Sequence, residues 1–174
     1  TVSVIHFPLE KRLEMKITIT EADKGDLAEI LALQKKAFTK VAEQLHRFDL
    51  PPLFQTEAEI TAEFSTGTIL KCHAEDGRII GSVRGVVDDN NFCRIGKLVV
   101  DPEFQRRGIG RTLMEAIEKR FAHTAGYVLF SSADTPESCN LYRQLGYAVI
   151  AQKESGGLLM LFMSKPSPAP EAQA

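Results

Sequence analysis

The stretch from 92 to 121 constrains this chain more than any other. An apolar, strand-like run at 92–100 is closed by Asp101-Pro102, passes through a glycine-bearing turn, and enters an amphipathic helix. In that helix Ile109, Leu113, Ile117 and Phe121 recur at every fourth position, with Glu115, Glu118 and Lys119 off the stripe. A stripe of that width must be covered by another element, because a single helix cannot bury its own apolar face. Strand, turn and helix in direct succession point to helices packed on a sheet.

The surrounding periods agree. Residues 68–74 and 78–87 read as strands joined through Asp76-Gly77, the dipeptide that a two-residue type I′ hairpin prefers. A polar turn at 88–91 leads into 92–100, which predicts a three-strand antiparallel meander. Upstream, 16–20 alternates as a strand. Residues 27–38 have helical spacing with Asp23 or Asp26 as cap, and a short helix at 41–48 runs up to the break at Pro51-Pro52. Thr56 opens a further helix at 56–64, with Glu59 as its capping-box partner. Downstream, 127–130 is a strand, 137–145 a helix ended by Gly146, and 147–150 and 158–163 are closing strands. The order predicts one α/β (α+β) domain at 15–164, with an N-terminal extension at 1–14 and a Pro- and Ala-rich disordered tail at 165–174.

Charge and cysteine usage narrow the partners. Lys plus Arg is 21 and Asp plus Glu is 23, a net charge of −2, whereas chains that bind nucleic acid or anionic membranes carry a basic excess. Neither partner is expected. Cys72, Cys93 and Cys139 are odd in number and far apart, which suits buried thiols in a reducing, cytoplasmic setting. His6, His46, His73 and His123 are scattered, so no metal site is expected. No apolar run approaches the ~18 residues of a membrane span, and residues 2–7 are too short for a signal-peptide core.

The chemistry concentrates in Gln105-Arg106-Arg107-Gly108-Ile109-Gly110-Arg111. A glycine turn at a helix N-terminus aims unpaired backbone N–H groups and the positive end of the helix dipole at an anion. Gly108 and Gly110 let the chain approach phosphate oxygens, and Arg106, Arg107 and Arg111 add charge. The segment lacks the Gly-Lys-Ser/Thr of a P-loop and the first glycine of a dinucleotide fingerprint.

The run from Ile95 to Met114 resembles motif A of the GCN5-related N-acetyltransferases (GNAT), whose Gln/Arg-x-x-Gly-x-Gly/Ala signature is met by Gln105, Gly108 and Gly110. Asn140-Leu141-Tyr142-Arg143-Gln144-Leu145-Gly146-Tyr147 resembles motif B, and the likeness covers roughly 15–164. The resemblance implies a twisted, mostly antiparallel mixed sheet of six to seven strands flanked by about four helices. That sheet is splayed between its fourth and fifth strands, here 92–100 and 127–130, with acetyl-CoA in the splay. By the same likeness the backbone of Leu98, Val99 and Val100 would pair with the pantetheine arm. The amides of Arg106, Arg107, Gly108, Ile109, Gly110 and Arg111 would hold the pyrophosphate. An N–H near Val99 or Val100 would face the developing oxyanion, and the Tyr142 hydroxyl would return a proton to the leaving thiolate. Ser138 or Asn140 would offer pantetheine a polar contact where the family's more common asparagine is replaced.

The expected activity is therefore acetyl transfer from the CoA thioester to a primary amine of a small molecule or peptide, by direct attack and without metal. A non-catalytic acyl-CoA-binding module of the same fold is the alternative, because the strand at 92–100 carries no acid. Asp88, Asp89, Glu57 and His46 are the nearest candidates for a base, each equally suited to a turn, cap or surface. Arg84, Arg94 and Lys97 fall on central strands, where they would meet an acceptor carboxylate or face solvent. Homodimers are common in the resembled family, and the apolar run 158–163 suits an interface or the core.

Overall fold

The computed structural model describes residues 2–5 and 15–168. Its strands are β1 (Val2–Ile5), β2 (Met15–Glu21), β3 (Thr68–Ala74), β4 (Ile79–Val87), β5 (Phe92–Val100), β6 (Gly126–Ser132), β7 (Ala148–Ser155) and β8 (Leu158–Pro166). They form one eight-stranded sheet in the order β1-β2-β3-β4-β5-β6-β8-β7. Every neighbouring pair is antiparallel except β5 and β6, which run parallel. The α-helices are α1 (Leu27–Leu45), α2 (Glu57–Thr66), α3 (Ile109–Arg120) and α4 (Pro136–Gln144).

The meander, the capped α2 and the α3 stripe follow the sequence periods. Thr56 accepts from the Glu59 N–H while the Glu59 carboxylate accepts from the Thr56 N–H, closing the capping box. Ile109, Leu113 and Ile117 are buried, with Leu113 and Ile117 fully so. The helix can lie that close to the sheet because β4 offers it glycines. A Cβ at Gly85 would stand 2.7 Å from Phe121 and one at Gly81 2.9 Å from Leu113. On the opposite face α1 and α2 bury Ile30, Leu31, Leu33 and Ile60 against Ile69, Ile79 and Val99.

Several expectations are corrected. The segment 27–45 is one continuous α1 rather than two helices, and His46 ends it at φ 51°. Asp23 caps a short 3-10 turn, Lys24–Asp26, that leads into it. The β3–β4 connection is not a two-residue type I′ turn. Gly77 N–H donates to Ala74 O and Ala74 N–H to Arg78 O, and only Gly77 has a positive φ, so a type I turn is followed by a left-handed glycine. Residues 2–5, inside the expected extension, add an eighth strand beyond the six or seven anticipated. Lys165 and Pro166 pair with Tyr127 and Gly126 as part of β8 instead of opening a tail, whose residues 169–174 lie outside the described ones. That strand sits between β6 and β7, so both its edges are already paired and it offers none to a second chain. Glu118 is buried although it lies off the apolar stripe, because Tyr147 Oη and Lys165 Nζ donate to its carboxylate at 2.8 and 2.6 Å.

Candidate active site

The parallel contact between β5 and β6 is short. It comprises Phe92↔Gly126, Cys93↔Tyr127 and Arg94↔Val128, after which the two strands part. On its other edge β5 carries a bulge: Ser82 pairs with Val99 and Arg84 with Gly96, so Val83 alone stands opposite both Lys97 and Leu98. Lys97 takes φ 51°, a left-handed conformation that costs a side-chain-bearing residue energy. A bulge bends its strand and steepens the local twist. Here it turns the end of β5 out of register with β6.

A cavity of about 440 Å³ opens where the strands have separated. Its walls are Ala37, Phe38 and Val41 of α1, Leu98, Val99 and Val100 of β5, and Glu137, Ser138, Leu141 and Gln144 of α4. Its mouth is the glycine turn, with Phe104, Gln105, Arg106, Gly108, Ile109, Gly110 and Arg111. Gly108 stands at the N-cap of α3 with φ 77° and no side-chain cap. Thr112 N–H finds Gly108 O at 3.0 Å, whereas the preceding N–H groups of Ile109, Gly110 and Arg111 belong to the helix turn that has no intrahelical acceptor. A Cβ on Gly110 would lie 3.5 Å from Leu141 and 3.9 Å from Leu98 and Val100, inside the cavity. Asp101 N–H donates to Ile80 O, so strand alternation turns the backbone groups of Val100 away from β4. Gln105 Nε2 reaches Val100 O at 3.3 Å from that side.

Most of the sequence-predicted residues thus meet at one place, with exceptions. Val99 turns its own N–H toward β4 by the same alternation, leaving Val100 as the donor that faces the open edge. Arg107 stacks on the Phe104 ring at 5.3 Å and does not line the cavity. Asn140 is exposed on α4 and stands outside the lining. Tyr142 also lies outside it: its ring is half-buried, edge-on to Tyr147 at 6.1 Å, and its hydroxyl has no hydrogen-bond partner among the described residues. Burial, with Cys139 nearby, pushes the Tyr142 hydroxyl up to about 12, so it keeps its proton.

A second cavity, of about 240 Å³, lies at the root of the splay and is lined by Arg94, Ile95, Gly96 and Lys97 of β5, Phe130 of β6, Arg84 and Val86 of β4, and Glu63 of α2. The bulge divides the two spaces, with Lys97 on one and Leu98 on the other. Asp88, Asp89, Glu57 and His46 line neither. Asp88 accepts the Asn90 and Phe92 N–H groups in its turn, and His46 is the left-handed end of α1. The acid at the second cavity is Glu63, which sequence reasoning missed. Its partner Arg84 stands 21 residues further on, and no local pattern announces the pair. Burial raises the Glu63 pKa, but the Arg84 charge and hydrogen bond, Lys97 and Gln55 outweigh it and hold the carboxyl below the ordinary carboxylate range. By linkage Glu63 contributes stability present above its unfolded pKa and lost as pH falls through the lower folded one. Among the described residues no cluster of His, Cys, Asp and Glu could hold a metal ion, and no helix is long and apolar enough to cross a membrane.

A sheet parted between two parallel strands, with an uncapped glycine turn at the mouth of the gap, is the arrangement that the two motifs imply. Residues 27–147 match the acetyltransferase (GNAT) family, and the chain belongs to that family. A curated relative, the uncharacterized N-acetyltransferase ycf52 of Gracilaria tenuistipitata var. liui, is 28% identical over 96 residues, covering 55% of this chain. The chain spans about half the length (52%) of that relative. Among solved structures, the ribosomal-protein-S18-alanine N-acetyltransferase of Escherichia coli superposes with a TM-score of 0.73 at 17% identity, over 91% of this chain and 98% of that one. The yncA protein of Salmonella typhimurium, solved with its cofactor acetyl-CoA, gives 0.70 at 21% identity over 91% and 98%. The spermidine N-acetyltransferase of Vibrio cholerae, in complex with CoA and spermine, gives 0.68 at 14% identity over 87% and 95%. At these identities the likeness is one of fold.

Proposed function

We propose that this protein is an acetyl-CoA-dependent N-acetyltransferase that acts on a primary amine of a small molecule or peptide, by direct attack and from a cytoplasmic location. The observation that carries the reading is the pair of cavities meeting across the β5 bulge, one with anion-directed backbone at its mouth and the other with ionic groups at its root. Two substrates that must touch at one bond need such adjoining spaces. The residues present fit coenzyme A. Free N–H groups at the start of α3, and the space that a Gly110 Cβ would fill, suit a diphosphate and a slender arm. Acetyl-CoA supplies an acyl group activated as a thioester.

The chain's own groups divide the remaining work. The N–H groups of Ile109, Gly110 and Arg111, with Arg106 and Arg111, hold the diphosphate, and Arg107 adds charge beside them. Arg106 and Arg111 are held meanwhile by Glu137 and Gln144 at 2.7 and 2.8 Å. The open edge of β5 at Leu98 and Val100 takes the arm as another strand would, and Ser138 faces it from α4. Val100 N–H, which faces away from β4, would stabilise negative charge on the carbonyl oxygen. Tyr142 holds the proton that the departing thiolate needs. Glu63, already engaged by Arg84 and Lys97, is a weak base, so the amine arrives neutral or gives its proton to water.

Thermal unfolding with acetyl-CoA and CoA, with NAD and ATP as controls, tests the donor. At a hundredfold over Kd the added stability is about 2.7 kcal/mol, a midpoint rise on the order of 5 to 10 °C. Thiol release with amines then tests transfer. A rise without release from any amine favours the non-catalytic module, and no rise with either CoA species removes both readings.

A further inference from the structure

The second cavity has an unbalanced charge. Three of its lining side chains, Arg84, Arg94 and Lys97, are cationic and one, Glu63, is anionic. Both oxygens of Glu63 are committed: Oε1 accepts from Gln55 at 2.7 Å and meets Lys97 at 3.5 Å, while Oε2 takes Arg84. Arg84 is 7% exposed, gives Nη1 to Gln55 and Glu63 and Nη2 to Gln34, and leaves Nε buried without a partner. The Arg94 side chain has no hydrogen bond or ion pair among the described residues and stands opposite Val128, where the splay begins. Lys97 sits at the bulge itself, between this cavity and the larger one.

Resting on the reading above, we infer that the acceptor amine also carries a carboxylate, held at the root of the splay by Arg94 and Lys97 with the Arg84 charge behind them. One fixed carboxylate does not neutralise three cations in a partly enclosed space, and such a space attracts an anion. The guanidinium fork matches a carboxylate through paired N–H donors, and the lysine adds a point charge. A carboxylate anchored there leaves the amine end directed past Lys97 toward Leu98 and the larger cavity. The volume of about 240 Å³ suits a molecule of amino-acid size, and Val86 and Phe130 supply an apolar wall for its side chain. The same field repels a polyamine.

Thiol release at saturating acetyl-CoA, using free amino acids each beside its own carboxamide and its decarboxylated amine, with spermidine as polycation, reads this directly. The carboxamides have the less basic amine, so a preference for the acids cannot come from a larger neutral fraction. The acids are expected to show kcat/KM at least tenfold above their carboxamides, with spermidine the poorest acceptor. Arg94→Ala is expected to raise KM for the acids about tenfold and leave KM for acetyl-CoA unchanged, with partial recovery in Arg94→Lys. Arg94 is exposed, so neither variant threatens the fold. Equal or better rates with the carboxamides, or a preference for spermidine, overturn the inference and leave the transferase standing. No transfer to any amine overturns both.

Discussion

Tyr142 poses the sharpest question at the scale of single residues. It stands next to Leu141, which lines the larger cavity, yet its own ring turns onto Tyr147 and its hydroxyl bonds to no described group. A half-buried hydroxyl without a protein partner suits a proton donor better than a packing residue, because packing tyrosines usually have their hydroxyl satisfied. Removing the oxygen alone decides between them. Tyr142→Phe is expected to lower kcat by about a hundredfold, as loss of a general acid does, while the acetyl-CoA-induced rise in melting temperature stays as in the parent. The kcat profile should show no alkaline limb from this group below its pKa of about 12, since burial favours the neutral phenol. A Phe variant with full turnover would return Tyr142 to the core. Glu63 is the contrasting case, an acid at the second cavity that is too well paired to accept a proton readily.

Among elements, the turn between β5 and α3 joins fold and chemistry. Gly108 at φ 77° starts α3, and its conformation decides where the following N–H groups point. An alanine there meets the left-handed penalty of about 1 kcal/mol, and relief of that strain would rotate the very amides that face the cavity. Gly108→Ala is therefore expected to lower the melting temperature by a few degrees and to weaken acetyl-CoA binding by more than that loss of stability accounts for. Calorimetric titration beside a melting curve measures both, and unchanged affinity would make the turn a structural one. This element was legible in the sequence because everything that specifies it is local: glycines at fixed spacing, a strand before them and an apolar stripe behind. The capping box of α2 was legible for the same reason. The Lys97 bulge was not, since it exists only by reference to Val83 on the neighbouring strand. Nor was the Glu63–Arg84 pair, which joins α2 to β4, nor the burial of Glu118, whose partners come from β8 and from the turn between α4 and β7. Long-range pairing carries no periodic signature.

At the scale of the whole molecule the sheet is close to two half-sheets. β1 to β5 form one and β6, β8 and β7 the other, and the hydrogen-bonded seam between them is the short parallel contact ending at Arg94↔Val128. Below that seam the halves share one core around α3, in which Ile17, Cys72 and Val83 of the first half join Leu129, Leu161 and Met163 of the second. The buried residues of that core run from Ile17 to Met163, while β1 and the end of β8 carry the sheet beyond the expected 15–164. Above the seam β5 and β6 share no strand pairing among the described residues, and the gap is bridged by side chains such as Arg106–Glu137 and Arg111–Gln144. A ligand spanning β5 and α4 would add to those contacts and slow local opening there, because exchange follows the free energy of the opening it requires. Acetyl-CoA is expected to slow amide exchange along 98–100, through 105–111 and in α4, while β1, β2 and β3 keep their unliganded rates. Protection confined to 105–111 would mean that the ligand rests on the turn alone, and the splay would then have no part in holding it.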